Sequence, residues 1–118
     1  MEKHTGLKRI VYASWYSLKG IKAAFESEAA VRQEFLAIIV LSPIALLSDT
    51  TVVEKLLLFI TLFLVLIVEL LNTAVETVVD RVSFDMHELS GKAKDIGSAA
   101  VFVSIFLAIA TWTSILLL

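Results

Sequence analysis

The feature that most limits the fold is a long apolar run in the middle of the chain, Leu56 to Val68, which only Thr61 interrupts. The helical pattern continues from this run to Arg81, so the whole segment exceeds the roughly 20 residues that cross a bilayer. Two further segments are apolar over similar lengths, and 58% of the chain is hydrophobic, well above the share in a soluble domain. We predict an all-α membrane protein with spans at about 29–48, 52–82 and 90–117.

The segment before the first span, about residues 6–27, predicts a helix with one apolar face and one basic face. Ile10 and Leu18 belong to the apolar face, and Lys19 to the other. Trp15 and Tyr16 add rings that prefer the headgroup level. This pattern is typical of an amphipathic helix on the membrane surface, and a helix packed on a partner is the alternative.

Charge and composition bound the organisation and the class of function. A net charge of −2 argues against a nucleic-acid partner, and the absence of cysteine excludes disulfides and thiolate chemistry. Basic residues concentrate before the first span and around the second loop, so we predict a cytoplasmic N-terminus. Recurring charges in the first thirty residues argue against a signal peptide. We expect one membrane domain, residues 1–118.

A polar stripe follows the apolar run on the same predicted helix. Its members are Glu69, Asn72, Glu76 and Asp80. Their spacing of three, four and four residues places them on one helix face. An ionised side chain near the bilayer centre costs about 2.5–3.5 kcal/mol on insertion scales. The stripe therefore indicates a functional cavity, although hydrogen bonding between helices would use the same residues.

Glu28 lies at the junction between the surface helix and the first span, at the same predicted membrane level as Glu76. Magnesium is usually held by one or two carboxylates together with substrate phosphates. These two side chains therefore predict a Mg²⁺ site that includes a nucleotide. An ion pair between Glu28 and Arg32, one turn later, fits the spacing equally well.

The polar segment from His87 to Lys92 matches two known motifs only in part. A zinc-protease helix would need histidine at Gly91, and a P-loop would need Ser or Thr at Ala93. The segment predicts a loop that enters a helix with Ser90 as its N-cap. Its lysines could bind phosphate, or the loop could be merely solvated.

Three blocks of sequence together closely resemble the prokaryotic diacylglycerol kinase family. They are Glu28 to Glu34, Val68 to Glu76 with Val79 to Arg81, and His87 to Ala100. The resemblance covers nearly the whole chain. It implies a homotrimer with active sites between subunits, ATP with Mg²⁺ as phosphoryl donor, diacylglycerol as acceptor, and a location in the bacterial inner membrane.

The resemblance also implies roles for individual residues. Glu69 would be the general base on the lipid hydroxyl, and Glu28 and Glu76 would hold the metal. The implied nucleotide contacts are Arg9, Tyr16, Glu28, Glu76, Asp85, Met86, His87, Lys94 and Asp95. The implied lipid contacts are Arg9, Ala13, Ser14, Trp15, Tyr16, Ser17, Leu18, Lys22, Ala23, Ala24, Phe25, Ala30, Val31, Arg32, Gln33, Glu34, Glu69, Asn72, Ser98 and Trp112.

Three other functions remain open from the residues alone. An undecaprenol kinase of the same fold would share the chemistry and differ in its lipid pocket. A small oligomeric proton or ion conductor would also use carboxylates within a span, although here they cluster toward one membrane face. A non-catalytic assembly protein would use the polar stripe only to join helices.

Overall fold

The computed structural model describes residues 5–82 and 88–118, and within them every regular element is an α-helix. The helices are α1, Gly6–Ser27, α2, Ala29–Leu47, α3, Val52–Val82, and α4, Glu88–Leu117. Each of the last three is long and apolar enough to span a membrane. The predicted all-helical architecture, with three helices long and apolar enough to span a membrane, is confirmed.

A single extended residue, Glu28, separates α1 from α2. Its backbone N–H still donates to the carbonyl of Ala24 at 2.9 Å, so the chain turns sharply within one residue. Arg32 fastens the corner: its Nη1 donates to the carbonyl oxygens of Phe25 at 2.7 Å and Glu26 at 3.1 Å. These carbonyls belong to the last turn of α1, where helix acceptors lack partners. Arg32 therefore caps α1, and within residues 5–82 and 88–118 its guanidinium forms no ion pair with Glu28.

The turn between α2 and α3 is closed by side chains. The Thr51 hydroxyl accepts from the N–H of Glu54 at 3.1 Å, and the Glu54 carboxylate accepts from the N–H of Thr51 at 3.0 Å. This reciprocal capping box explains why α3 begins here. Lys55 completes the turn, because its Nζ donates to the carbonyl oxygens of Ser48 at 2.7 Å and Thr50 at 3.1 Å.

Helix α3 is the centre of the fold, since it packs against all three other helices. Ala24 of α1, Val31 of α2 and Leu66 of α3 form the buried core near the α1–α2 corner. At the other end, Trp112 of α4 donates from Nε1 to the carbonyl of Leu58 on α3 at 3.1 Å. Most other large apolar side chains on the spanning helices are exposed in the single chain.

Helix α4 begins earlier than the sequence indicated. Its first residue is Glu88, so Ser90 lies inside the first turn, and the prediction of Ser90 as N-cap is wrong. An acidic residue in the first turn is favourable at the positive end of the helix dipole, which is consistent with a start at Glu88.

Candidate active site

The polar stripe of α3 runs from the core to the open end of the bundle. Glu69 is buried, at 8% exposure, immediately after the core residue Leu66. Asn72 and Glu76 are half-buried, and Asp80 is exposed. With a rise of 1.5 Å per residue, Glu76 lies about 10 Å along the axis from Glu69, and Asp80 about 16 Å. One helix face thus connects an apolar interior with solvent.

Four carboxylates from two helices and the α1–α2 corner surround the inner end of the stripe. Glu34 of α2 lies close enough to Glu69 for their charges to repel each other. Glu69 also lies within electrostatic range of Glu28 and Glu76. The Oε1 atom of Glu34 is buried and has no hydrogen-bond partner in the part of the chain that the structure describes. Such a group indicates a place for a hydrogen-bond donor from a ligand.

Hydrogen bonds along α3 hold parts of the stripe in place. The Asn72 Nδ2 donates to Glu76 Oε1 at 3.0 Å, which links two stripe members one turn apart. The Thr73 hydroxyl donates to the carbonyl of Glu69 at 2.9 Å. The Oδ1 of Asn72 is buried, and Gly97 of α4 faces it.

Helix α4 contributes a cation at the outer end of the stripe. The Nζ of Lys94 lies 2.7 Å from Oδ1 of Asp80. Lys94 is also within electrostatic range of Glu76. The lysine therefore stands between two acidic residues of α3, where a polyanionic ligand would meet its charge.

A cleft of about 670 Å³ opens between α1 and α3 beside this site. Its lining is mostly small or apolar and includes two threonines of α3. The residues are Ser17, Gly20, Ile21, Ala23, Ala24 and Ser27 from α1, and Leu70, Thr73, Ala74, Thr77 and Val78 from α3. Leu70 and Thr73 lie one and four residues after Glu69, so the cleft opens beside the helix turn that follows the buried carboxylate.

Comparison with known proteins decides the family. The family described as prokaryotic diacylglycerol kinase has a sequence model that matches residues 15–116. The chain belongs to this family. It is 53% identical over 113 residues to a diacylglycerol kinase of Pseudomonas aeruginosa, covering 96% of this chain and 92% of that protein. It is 48% identical over 112 residues to one of Escherichia coli strain K12, covering 95% and 92% respectively.

A diacylglycerol kinase of Haemophilus influenzae is 44% identical over 116 residues, and the match covers 98% of each chain. The resemblance seen in the sequence is thus confirmed, as is the prediction that this chain is a kinase. Because the matches extend over nearly the whole length, the stripe, the corner and the cleft all lie within the shared region.

The structure brings only some of the predicted site residues of this kinase together. Glu28, Glu34 and Glu76 each lie within electrostatic range of Glu69, Asn72 is hydrogen-bonded to Glu76, and Lys94 is within electrostatic range of Glu76. Asp95 follows Lys94 but lines a shallow groove on another face of α4. Arg9 lies five turns, about 27 Å of helix, before Ser27. The predicted nucleotide contacts Asp85, Met86 and His87 lie outside the described residues.

The predicted lipid contacts on α1 divide between two faces. Ser17, Ala23 and Ala24 line the α1–α3 cleft. A groove on the outer side of α1 includes Trp15, Leu18, Lys22 and Ala23. The others on α1 are Arg9, Ala13, Ser14 and Tyr16, which are exposed, and Phe25, whose ring lies 5.7 Å from that of Phe35.

The remaining predicted lipid contacts lie on α2 and α4. On the first turns of α2, Val31 is buried in the core, Arg32 caps α1, and Ala30 and Gln33 lie beside them. On α4, Ser98 is exposed. Trp112 bonds to Leu58, which lies 11 residues, or about 16 Å of helix, from Glu69.

Two of the carboxylates near Glu69 are candidates for a metal site. Within residues 5–82 and 88–118, no group of three or more His, Cys, Asp or Glu side chains could hold a metal ion. Glu28 and Glu76 both lie within electrostatic range of Glu69, and each has carboxylate oxygens that can serve as metal ligands. Magnesium uses one or two carboxylates when substrate phosphates and water complete its shell, so the donor set fits Mg²⁺ with a nucleotide.

Proposed function

We propose that this kinase transfers the γ-phosphoryl group of ATP to the hydroxyl of diacylglycerol, giving phosphatidic acid at the cytoplasmic face of the inner membrane. The names of the relatives support diacylglycerol as the acceptor. The observation that carries the proposal is Glu69, a buried carboxylate within electrostatic range of Glu34 and next in the chain to Leu70, which lines an apolar cleft. This is an environment for a hydroxyl group on an apolar molecule.

On the lipid side, the acceptor hydroxyl would lie between Glu34 and Glu69. Its single proton would point toward Glu69. Glu69 would act as general base and take this proton while the hydroxyl oxygen forms a bond to the γ-phosphorus, the bond from that phosphorus to the β–γ bridging oxygen breaks, and ADP leaves. The acyl chains would leave through the cleft between α1 and α3, where Ser27 and Leu70 are among the lining residues.

On the nucleotide side, Lys94 would bind phosphate oxygens, because its ammonium group already stands among acidic residues at the open end of the stripe. Glu28 and Glu76 would hold Mg²⁺, which when bound neutralises phosphate charge. Phosphoryl transfer depends chiefly on positioning and charge neutralisation, and these residues supply both.

Assembly as a homotrimer, with active sites completed between subunits, is part of the proposal. Residues Gly6 to Ala23 of α1 are all exposed in the single chain. Arg9 and Tyr16, the expected nucleotide contacts, therefore have surface available to a neighbouring subunit. The concentration of basic residues before α2 favours a cytoplasmic N-terminus, with α1 lying amphipathically on the membrane surface.

The test is transfer of labelled phosphate from ATP by purified protein in micelles with Mg²⁺. Diacylglycerol and undecaprenol would be offered separately to wild type and to Glu69→Gln. Glu54→Gln, the same substitution at the opposite end of α3, is the matched control. We expect phosphatidic acid from wild type and control, and a rate lower by roughly 10²–10⁴-fold in Glu69→Gln, the usual contribution of a general base.

If the label appeared mainly on undecaprenol, the proposed acceptor would be undecaprenol instead of diacylglycerol. No label on either lipid from a folded oligomer would refute phosphoryl transfer by this protein. Proton flux across vesicles without nucleotide would then support the conductor.

A further inference from the structure

Helix α4 comes close to the polar stripe at Gly97. A Cβ atom at this position would overlap the Oδ1 of Asn72 and lie 3.2 Å from its Cγ. The Asn72 carboxamide thus occupies the space where any other residue would begin its side chain. Gly91, six residues earlier on α4, differs, because a Cβ there would meet nothing within 4 Å. Glycine is therefore required at position 97 because there is no room for a side chain while Asn72 keeps its position.

The carboxamide at this contact connects α4 to Glu76. Its oxygen is buried against Gly97, and its nitrogen donates to Glu76 Oε1 at 3.0 Å. Because the amide group is planar, the position of the oxygen determines where the nitrogen points. A side chain at position 97 would displace the oxygen and turn the nitrogen away from Glu76.

We propose that Gly97 is a positioning residue, which keeps Asn72 in the orientation that holds the Glu76 carboxylate. Its functional consequence rests on the proposed role of Glu76 in binding Mg²⁺ with ATP. Groups that orient a metal ligand commonly change metal affinity by 10–100-fold when they are altered. A substitution at Gly97 should therefore change metal affinity by a similar factor, although glycine itself carries no functional group.

The variant Gly97→Ala should fold, because the obstacle is the end of a rotatable side chain rather than backbone. We expect Asn72 to rotate and the hydrogen bond to Glu76 to be lost. The apparent KM for Mg²⁺·ATP should rise about tenfold or more. Gly91→Ala, a control of the same type on α4, should remain within about twofold of wild type because its Cβ has free space.

A second readout does not depend on activity. Asn72 is the only asparagine of the sequence, so labelling with ¹⁵N-asparagine gives a single side-chain amide pair in the NMR spectrum. Its resonances should move in Gly97→Ala and in Glu76→Gln, and stay unchanged in Gly91→Ala. Unchanged Asn72 resonances in Gly97→Ala would overturn the inference whatever the kinetics. Moved resonances with an unchanged KM would overturn the positioning role.

A double variant covers loss of folding. If Gly97→Ala fails to fold, the inference requires Asn72→Ala with Gly97→Ala to fold, because the overlap is then removed. Failure of that double variant, with Asn72→Ala folding alone, would overturn the inference. Failure of the proposed function would look different from failure of this inference. In that case the wild-type protein would show no ATP-dependent lipid phosphorylation, while the Asn72 resonances would still respond to Gly97→Ala.

Discussion

Replacing Trp112 with phenylalanine tests how α4 is held against α3 at the end remote from Glu69. The indole Nε1 donates to the carbonyl of Leu58 at 3.1 Å and to the Thr61 hydroxyl at 3.2 Å. Phenylalanine keeps an aromatic ring but has no donor. The substitution therefore removes this polar link between the two helices while it keeps most of the apolar contact.

The expected magnitude follows from the geometry. One N–H is shared by two acceptors, so its loss counts as one hydrogen bond. The acceptors keep a bond to each other, because the Thr61 hydroxyl donates to the Leu58 carbonyl at 2.9 Å. Hydrogen bonds between membrane helices contribute about 0.6 kcal/mol on average and about 1.7 kcal/mol at most. With the smaller ring included, Trp112→Phe should lower the free energy of unfolding by about 1 kcal/mol.

The assay is unfolding in mixed micelles with an increasing mole fraction of dodecyl sulfate, followed by circular dichroism. Trp15→Phe is the control, because the Trp15 ring is 58% exposed and lies under Lys19 of its own helix. Thr61→Val and the double variant Trp112→Phe with Thr61→Val complete a double-mutant cycle. Because the two residues are in contact, the cycle should give a coupling energy of about 0.5 kcal/mol or more. Equal stability of wild type and Trp112→Phe, or no coupling with Thr61→Val, would refute the reasoning.

Two further predictions concern charged groups of the site. Asp80→Asn removes the partner that lies 2.7 Å from Lys94 Nζ, so the KM for ATP should rise several-fold while the KM for diacylglycerol stays constant. Steady-state kinetics would measure both KM values, and an equal rise in the two would contradict the prediction. The control Asp49→Asn, in the distant turn between α2 and α3, should leave both KM values unchanged. Glu34→Gln removes the charge that repels the Glu69 carboxylate beside the core, so unfolding should require more dodecyl sulfate. The same substitution should lower kcat/KM about tenfold, because Glu34 helps to position the acceptor hydroxyl in the proposed mechanism. A fully active Glu34→Gln protein would be evidence against a role for this carboxylate.

The helices and the stripe were predictable because they depend on spacing along the chain. Apolar runs of spanning length predict α2, α3 and α4 whatever packs around them. The period of 3.6 residues places Glu69 and Glu76 on one face of α3. The corner at Glu28 was predictable as the place where a basic, amphipathic pattern gives way to an apolar one. These features require no knowledge of how the helices pack.

Contacts between helices were not predictable, because they depend on the relative register of α3 and α4. The ion pair of Asp80 with Lys94 and the contact of Asn72 with Gly97 join residues 14 and 25 positions apart. Ala93 and Gly97, two small residues four positions apart on α4, are typical of close helix packing, but their spacing does not indicate which side chain of α3 occupies the space. Glu34 was identified only through the family resemblance, and its position facing Glu69 required the packing of α2 against α3.

The two contacts of α4 with the stripe together explain why a long cation is needed at position 94. From Asn72 to Asp80 the axis of α3 advances eight residues, or about 12 Å, whereas from Gly97 back to Lys94 the axis of α4 advances three residues, or about 4.5 Å. The remaining distance of about 7 Å must be spanned by side chains, and the four-carbon stem of Lys94 reaches Asp80 across it. A slip of α4 by one residue would turn Lys94 by about 100° around its helix and remove it from the stripe. The close contact at Gly97 therefore fixes the register on which the position of the Lys94 charge depends.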